Sequence, residues 1–230
     1  MALGLISGFA LQGAIEAAVL PVFAGTVDPR WMPTSLALRD LEAGGTGDVV
    51  VLTDEALSDL SDKAMLVPGS TVTLADAVLG LGMAPGRAGP DISTKQAFVA
   101  AILSCRALAY SRAGASGIYF EGLIDRLGIG DAVRAKAVVI PSGLTGEKLL
   151  TGEADLALQQ ISELMMVDGT EIIGPLPEEI GCVTGFSAAV LRTSRAQDDA
   201  ARLVAALSSP AAMAGYAAAG LRPRHPTRED

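Results

Sequence analysis

Histidine is almost missing from this chain. The single one, His225, lies between Arg224 and Pro226 in a polar tail, so nothing supports Ser-His or Cys-His nucleophilic catalysis. Cysteine is scarce as well. Cys105 and Cys182 are far apart and in no metal-ligand spacing, and they read as buried free thiols that pack like small hydrophobes. Aromatic residues make up 4% of a sequence that is 50% hydrophobic, so the core must be built from Ala, Val, Leu and Ile. Basic residues are in deficit, 17 against 26 acidic ones, for a net charge of −9. That argues against nucleic acid and anionic membranes as partners, both of which reward basic patches. A small anion stays open, because local dipoles set such a site. No uninterrupted apolar run of roughly 18 residues suggests a membrane span. No positively charged segment with a cleavage site precedes the first strand. The sequence as it stands is that of a cytoplasmic protein, although an exported one without its leader, and so periplasmic, reads the same way. Neither a metal site nor a cofactor is called for.

What is present is an alternation of apolar strands and amphipathic helices over 230 residues, enough for one large α/β domain or two small lobes. Short apolar runs at Leu3 to Ile6, Asp48 to Leu52, Ala107 to Tyr110, Ala137 to Ile140 and Ala154 to Gln159 read as strands. Gly25 to Met32 is a further strand that Pro29 confines to a sheet edge. Thr71 to Met83 is apolar but broken by glycine, and reads as an extended connection. Helices are expected over Ala10 to Phe23, from Pro33 to Ala43, and over Asp91 to Arg106, with Ser93 and Gln96 at capping-box spacing. Others follow from Thr145 to Gly152 and from Asp198 to Leu207. The pattern implies mainly parallel sheets flanked by helices, which bind ligands beyond the carboxyl ends of their strands.

The stretch from Arg106 to Gly128 (RALAYSRAGASGIYFEGLIDRLG) concentrates the functional signal. A strand, a small-residue loop and a helix start make an anion cradle from backbone N–H groups and the helix dipole alone. Ser116 stands where an N-cap is wanted, and Gly128 where a left-handed C-terminal residue is wanted. Three more strand-to-helix loops have the same small or hydroxyl character: Ser7-Gly8-Phe9-Ala10, Pro33-Thr34-Ser35, and Pro141 to Thr145. Two belong to each half of the chain. If each half is a lobe, all four can face one cleft.

Five segments resemble a known family: LEAGGTGDVVVLTDEAL from Leu41, AYSRAGASGIYFEGLIDRLGI from Ala109, GEADLALQQISEL from Gly152, GPLP from Gly174 and ALSSPAAM from Ala206. They are similar to the type II periplasmic solute-binding proteins, and within these to molybdate-binding receptors and the related aconitate isomerases. The resemblance implies two α/β lobes, residues 1–77 plus 188–230 and residues 78–187, joined by two crossing segments around a ligand cleft. It implies a likely-sized partner too: a small carboxylate or oxyanion, with an ABC permease if the protein is exported, and a monomeric state. In molybdate receptors, hydroxyls and backbone N–H groups of the first three loops hold the oxyanion, and a tyrosine completes the site. By position, Thr34 or Ser35 matches the second-loop hydroxyl and Ser116 the third-helix donor. The tyrosine position reads Gln160. The first-loop serine position falls on Ala10, with Ser7 the nearest hydroxyl and Phe9 intruding. These departures count against molybdate and favour the aconitate-isomerase branch.

Each candidate has a plainer reading beside the functional one. Arg112, inside the cradle loop, is either a carboxylate clamp or a solvated loop arginine. Ser111, Gly117 and Gly143 belong to the cradles as loop donors, while Ser142 and Thr145 are ligand hydroxyls or helix caps. Gln160, at a strand end, can donate its amide to an anion, and Gln159 then points the other way. Proton transfer across an allylic system needs a base, for which Glu163 and Tyr110 are the candidates. Glu163 is otherwise a first-turn glutamate favoured by the helix dipole, and Asp54 and Glu55 are first-turn carboxylates.

Overall fold

The structure, a computed structural model, describes residues 2–86 and 88–224. His225 lies outside them. In chain order the elements are β1 (Leu3–Ser7), α1 (Gln12–Ala18), β2 (Val27–Trp31), α2 (Thr34–Glu42), β3 (Val49–Thr53), α3 (Asp54–Asp62) and β4 (Val72–Met83). Then come α4 (Lys95–Ser104), β5 (Leu108–Ser111), α5 (Ala115–Arg126), α6 (Gly130–Arg134), β6 (Ala137–Ile140), α7 (Glu147–Leu150), β7 (Leu156–Gln160), α8 (Ile161–Leu164) and β8 (Glu171–Pro175). The chain closes with β9 (Val183–Val190), α9 (Gln197–Leu207), α10 (Pro210–Ala218) and the two-residue β10 (Arg222–Pro223).

The chain divides into two compact units, Met1–Ala77 with Thr184–Asp230, and Val78–Val183. Residues 184–187, expected in the second lobe, belong to the first unit. Phe186 enters its core, and the Ser187 hydroxyl donates to Asp54.

In the first unit the sheet runs β2-β1-β3-β9-β4. β1 pairs in parallel with β2 and β3, whereas β9 lies antiparallel to β3. Pro29 occupies the edge strand, where its missing N–H costs no ladder bond. The core is aliphatic, as the composition requires: Leu5, Leu11, Ile15, Val49, Leu74 and Leu203 are buried together. The second unit has β4-β7-β5-β6. β5 is parallel to β6 and β7, and β4 is antiparallel to β7 and β8. Leu79, Phe98, Tyr110, Phe120 and Leu158 centre its core. Within each unit three strands are parallel, β2-β1-β3 in the first and β7-β5-β6 in the second, and deliver their carboxyl ends to one side of their own sheet.

Several elements differ from their sequence expectation. The helix from Ala10 ends at Ala18, because Pro21 cannot donate within a continuing helix. The glycine-broken stretch from Thr71 is a continuous strand. Its Gly80 admits a close neighbour: a Cβ there would lie 2.8 Å from the Gly174 carbonyl oxygen. α4 starts later than expected, with the Thr94 side chain, not Ser93, accepting from Ala97 N–H. The N-cap of α5 is Gly114, which places Ser116 at the second helical position. Gly128 does take the left-handed conformation, at φ +69°.

Candidate functional site

In the second unit the ends of β5, β6 and β7 each open into a loop that carries predicted site residues. After β5, Ser111 turns into the Gly114 cap of α5. Its side chain is buried, 2% exposed, and its hydroxyl has no hydrogen-bond partner among the described residues. The space that a side chain at Gly114 would fill is bordered by two hydroxyls, Ser111 Oγ at 2.7 Å and Ser116 Oγ at 3.6 Å. Gly117, one position further, packs its α-carbon onto the Ser111 carbonyl. The two serines thus converge on the start of a 12-residue helix. The first N–H groups of any helix lack intrahelical acceptors. Neither α5 nor α2 has an acidic residue in its first turn, whereas α3 and α9 fill theirs with Asp54 and Glu55, and Asp198 and Asp199. The positive ends of α2 and α5 carry no side-chain carboxylate of their own.

Arg112 is exposed, and among the described residues its guanidinium forms no hydrogen bond or ion pair. Its backbone is fixed nonetheless. Arg112 N–H donates to the Ile140 carbonyl at 2.8 Å and Ala113 N–H to that of Pro141 at 3.3 Å, which joins the β5 loop to the β6 loop. In the latter, Ser142 is exposed and Gly143 takes φ +103°.

Thr145 is neither ligand hydroxyl nor helix cap. It is fully buried, and its N–H and hydroxyl both donate to Gln159 Oε1, at 2.8 and 2.9 Å. The other end of the same amide, Gln159 Nε2, donates to the Gly143 carbonyl at 2.9 Å. Gln159 therefore shapes this loop from beneath, a role the sequence reading missed. The available signal was a second amide side chain, directly before Gln160, at the end of an otherwise apolar strand.

At the end of β7, Gln160 is 3% exposed and caps α8, with Glu163 at the third helical position in a capping box. Gln160 N–H donates to Glu163 Oε2 at 3.3 Å. Glu163 is itself 8% exposed. Burial pushes its pKa up to about 7, against the opposing pull of the Gln160 N–H and the Gln159 side chain. Glu163 thus combines the dipole-favoured position of the plainer reading with the proton affinity of a group that exchanges protons near neutrality.

Tyr110 does not fit the role of base. Its ring is buried in edge contact with Phe120, at 5.2 Å between centroids, and its hydroxyl donates to the Glu121 carboxylate. Burial first, then the bonded carboxylate, raises its pKa far above the ordinary phenol value. The phenol holds its proton, and its task is to tie β5 to α5. Glu121, which also pairs with Arg134 at 2.9 Å, was not singled out in the sequence. A glutamate two turns into a helix gives no local sign of a tyrosine partner one strand away.

In the first unit Ser7 is fully buried, and its hydroxyl donates to the Gly8 carbonyl at 3.1 Å. That engages its one proton, so Ser7 shapes the loop and is not a free donor. Gly8 N–H donates to the Val51 carbonyl, and Met32 N–H to that of Ser7. A Cβ at Gly8 would stand 3.9 Å from Thr34 Oγ1. The first and second loops therefore meet, with Phe9 half-buried beside them and Thr34 and Ser35 in the first turn of α2. Asp54 is more than a first-turn carboxylate: it accepts from Ser187 Oγ at 2.6 Å and pairs with Arg224 at 2.5 Å. This pair borders a cavity of about 190 Å³ that includes none of the loop candidates. Among the described residues, no three His, Cys, Asp or Glu side chains are grouped to hold a metal ion. No described helix is long and apolar enough to cross a membrane.

Residues 24–222 match the family model described as bacterial extracellular solute-binding protein. Among proteins of assigned function, an aconitate isomerase from a Pseudomonas species is 30% identical over 210 residues, covering 91% of this chain and 77% of that protein. Among solved structures, the periplasmic molybdate-binding protein of Azotobacter vinelandii superposes with a TM-score of 0.76 at 18% identity, over 95% of this chain and 98% of that one. The periplasmic binding protein AgtB of Agrobacterium tumefaciens R10, in complex with agropinic acid, gives 0.68 at 15% identity, over 97% and 83%. Structural similarity at these identities establishes the two-lobed α/β fold.

Proposed function

We propose that this chain, which belongs to the bacterial extracellular solute-binding protein family, binds a small organic polyanion, a di- or tricarboxylate of the aconitate kind. The observation that carries the reading is the buried, unpartnered Ser111 hydroxyl at the acid-free start of α5, with the unpaired guanidinium of Arg112 in the same loop. Neutral donors suit one carboxylate, and a planar cation that can bond in bidentate fashion suits a second. In the second unit the reading takes Ser116, Gly117, Ser142, Gly143 and Gln160 with that pair as candidate contacts. In the first unit, taken by itself, Gly8, Phe9, Thr34 and Ser35 are the candidates. The aconitate isomerase relative supports a carboxylate ligand.

If chemistry follows binding, one proton leaves an allylic carbon and returns at the other end of the three-carbon system. Glu163 is the residue suited to carry it, with the Ser116 N–H group and Arg112 stabilising the charge that develops on the flanking carboxylate; Gly117 N–H is engaged by the Gly114 carbonyl. No cofactor enters this scheme.

A second reading is an importer receptor for molybdate-type oxyanions, acting with an ABC permease. It is favoured by the convergence of two serine hydroxyls on a helix start with no buried cation beside them. Thermal stabilisation by molybdate, tungstate, sulfate, phosphate, citrate, and cis- and trans-aconitate separates the two. A ligand at 100 times its Kd adds about 2.7 kcal/mol. A shift with aconitate alone supports the carboxylate reading, and the cis/trans ratio followed over time then decides between isomerase and receptor. A shift with molybdate alone overturns the carboxylate reading.

A further inference from the structure

We propose that Glu163 makes anion binding proton-coupled: one proton is taken up by its carboxyl as an anion settles at the strand ends of the second unit. The inference rests on the anion site proposed above and adds a linked ion to it.

The geometry supplies a continuous path. Glu163 Oε2 accepts from Gln160 N–H, and the Gln159 side chain, one residue before, also holds its pKa down. Gln159 in turn donates to the Gly143 carbonyl and accepts from Thr145 N–H and Oγ1. The loop holding Gly143 is bonded through Pro141 and Ile140 to Ala113 and Arg112, beside the cradle. Thr145, Gln159, Gln160 and Glu163 are all more than nine-tenths buried. Glu163 is therefore tied through Gln160, and through Gln159 next to it in the chain, to the loops of the cradle, and it lies away from bulk water.

Among the described residues no cation offsets its charge. α8 packs on β7 and β8. β7 carries no charged residue, and Glu171 on β8 is exposed and accepts from Gly86 N–H. On α5, which also packs on β7, Glu121 and Asp125 pair with Arg134, and Arg126 lies over the Tyr119 ring. Lys148 on α7 pairs with Glu153. Among the described residues, Arg112 is the one cation of the neighbouring loops left without an ion pair, and it is exposed. An anion arriving next to this uncompensated carboxylate meets a like charge in a poorly solvated place. Of two interacting anions that cannot both be stabilised, one takes a proton. Glu163 is the weaker acid, already half-protonated near neutral pH. Protonation also weakens its hold on Gln160 N–H.

Linkage makes the effect reciprocal: if the anion raises the proton affinity of Glu163, the proton raises the anion affinity by the same factor. Affinity then falls about tenfold per pH unit above the pKa of free Glu163, until the pKa of the complex is reached, and is flat below it. In the complex only the fraction of molecules whose Glu163 is ionised can accept an allylic proton, so isomerisation through Glu163 must increase with pH.

The test is isothermal titration of the full chain with trans-aconitate, and separately with molybdate, in two buffers of different ionisation enthalpy. The expected result is uptake approaching one proton per anion near pH 8, declining toward zero below about pH 6. Glu163→Gln, which keeps a carbonyl acceptor for Gln160 N–H, should bind with no proton exchange and a flat pH profile. Binding without proton exchange in the native chain, or uptake that survives in the variant, overturns the coupling and leaves the anion site standing. The native measurement decides by itself if the variant does not fold. Failure of every anion in the stabilisation panel overturns the site and the coupling together.

Discussion

The Ser111 carbonyl rests directly on the α-carbon of Gly117; a Cβ at that position would lie 1.5 Å from the oxygen. Nothing but hydrogen fits there. The contact sets how closely the β5 strand end approaches the first turn of α5, and so the spacing between the Ser111 hydroxyl and the helix N–H groups. Gly117→Ala must push the helix start off the strand. We expect a loss of several kcal/mol, read as a lower thermal midpoint, together with loss of anion stabilisation. Gly122→Ala, five residues on in the same helix, meets only the mobile tip of Arg126, 3.2 Å away. It should be neutral or stabilising by up to about 1 kcal/mol. Equal destabilisation by both would refute the steric account.

Ser111→Ala and Arg112→Ala separate binding from folding. The Ser111 hydroxyl has no partner to lose, so its removal should leave stability within about 1 kcal/mol or improve it, while weakening the anion. Arg112→Ala, at an exposed side chain, should leave the melting temperature unchanged and weaken trans-aconitate more than about tenfold. An unchanged affinity in calorimetry would remove Arg112 from the site.

Tyr110→Phe tests the assignment of Tyr110 as a structural residue. The variant keeps the ring contact with Phe120 and leaves Glu121 paired with Arg134. The cost should be about 1 kcal/mol in denaturant unfolding. Any cis/trans-aconitate interconversion should survive; its abolition in a folded variant would restore Tyr110 as a participant.

Glu163 also leaves a signature in stability against pH. Below its ordinary pKa of 4.5 the carboxyl is neutral in the folded and unfolded states and costs nothing. Between that value and about 7 the unfolded chain ionises and the folded chain does not, so stability falls as pH rises. Above about 7 the penalty is constant, roughly 3 kcal/mol. Glu163→Gln should therefore be more stable than the native chain at pH 8 and equal to it near pH 4. Parallel stability curves would show that the carboxyl is not desolvated.

The alternation of elements, the edge position of Pro29 and the left-handed Gly128 were legible because each depends on its own residues and near neighbours. The cap of α5 was not. A glycine caps with its backbone, so Ser116 drew attention two positions too late. The strand through Gly80 was hidden for the opposite reason: its glycines look like interruptions until the neighbouring backbone they make room for is known. The site divides along the same line. Ser111, Arg112, Ser116 and Gly117 form a local motif and could be chosen from sequence. The pairings of Tyr110 with Glu121, and of Gln159 with Thr145 and Gly143, are decided by packing across the sheet.

The way Gln159 holds its loop has a consequence for how such a protein can change. One amide grips Gly143 and Thr145 from inside, while Pro141 and Ser142 on the outer side are exposed. The frame and the surface of the loop are thus specified by different residues. Side-chain changes at Pro141 and Ser142 can therefore remodel the outer surface of the loop while the grip from Gln159 keeps its backbone in place.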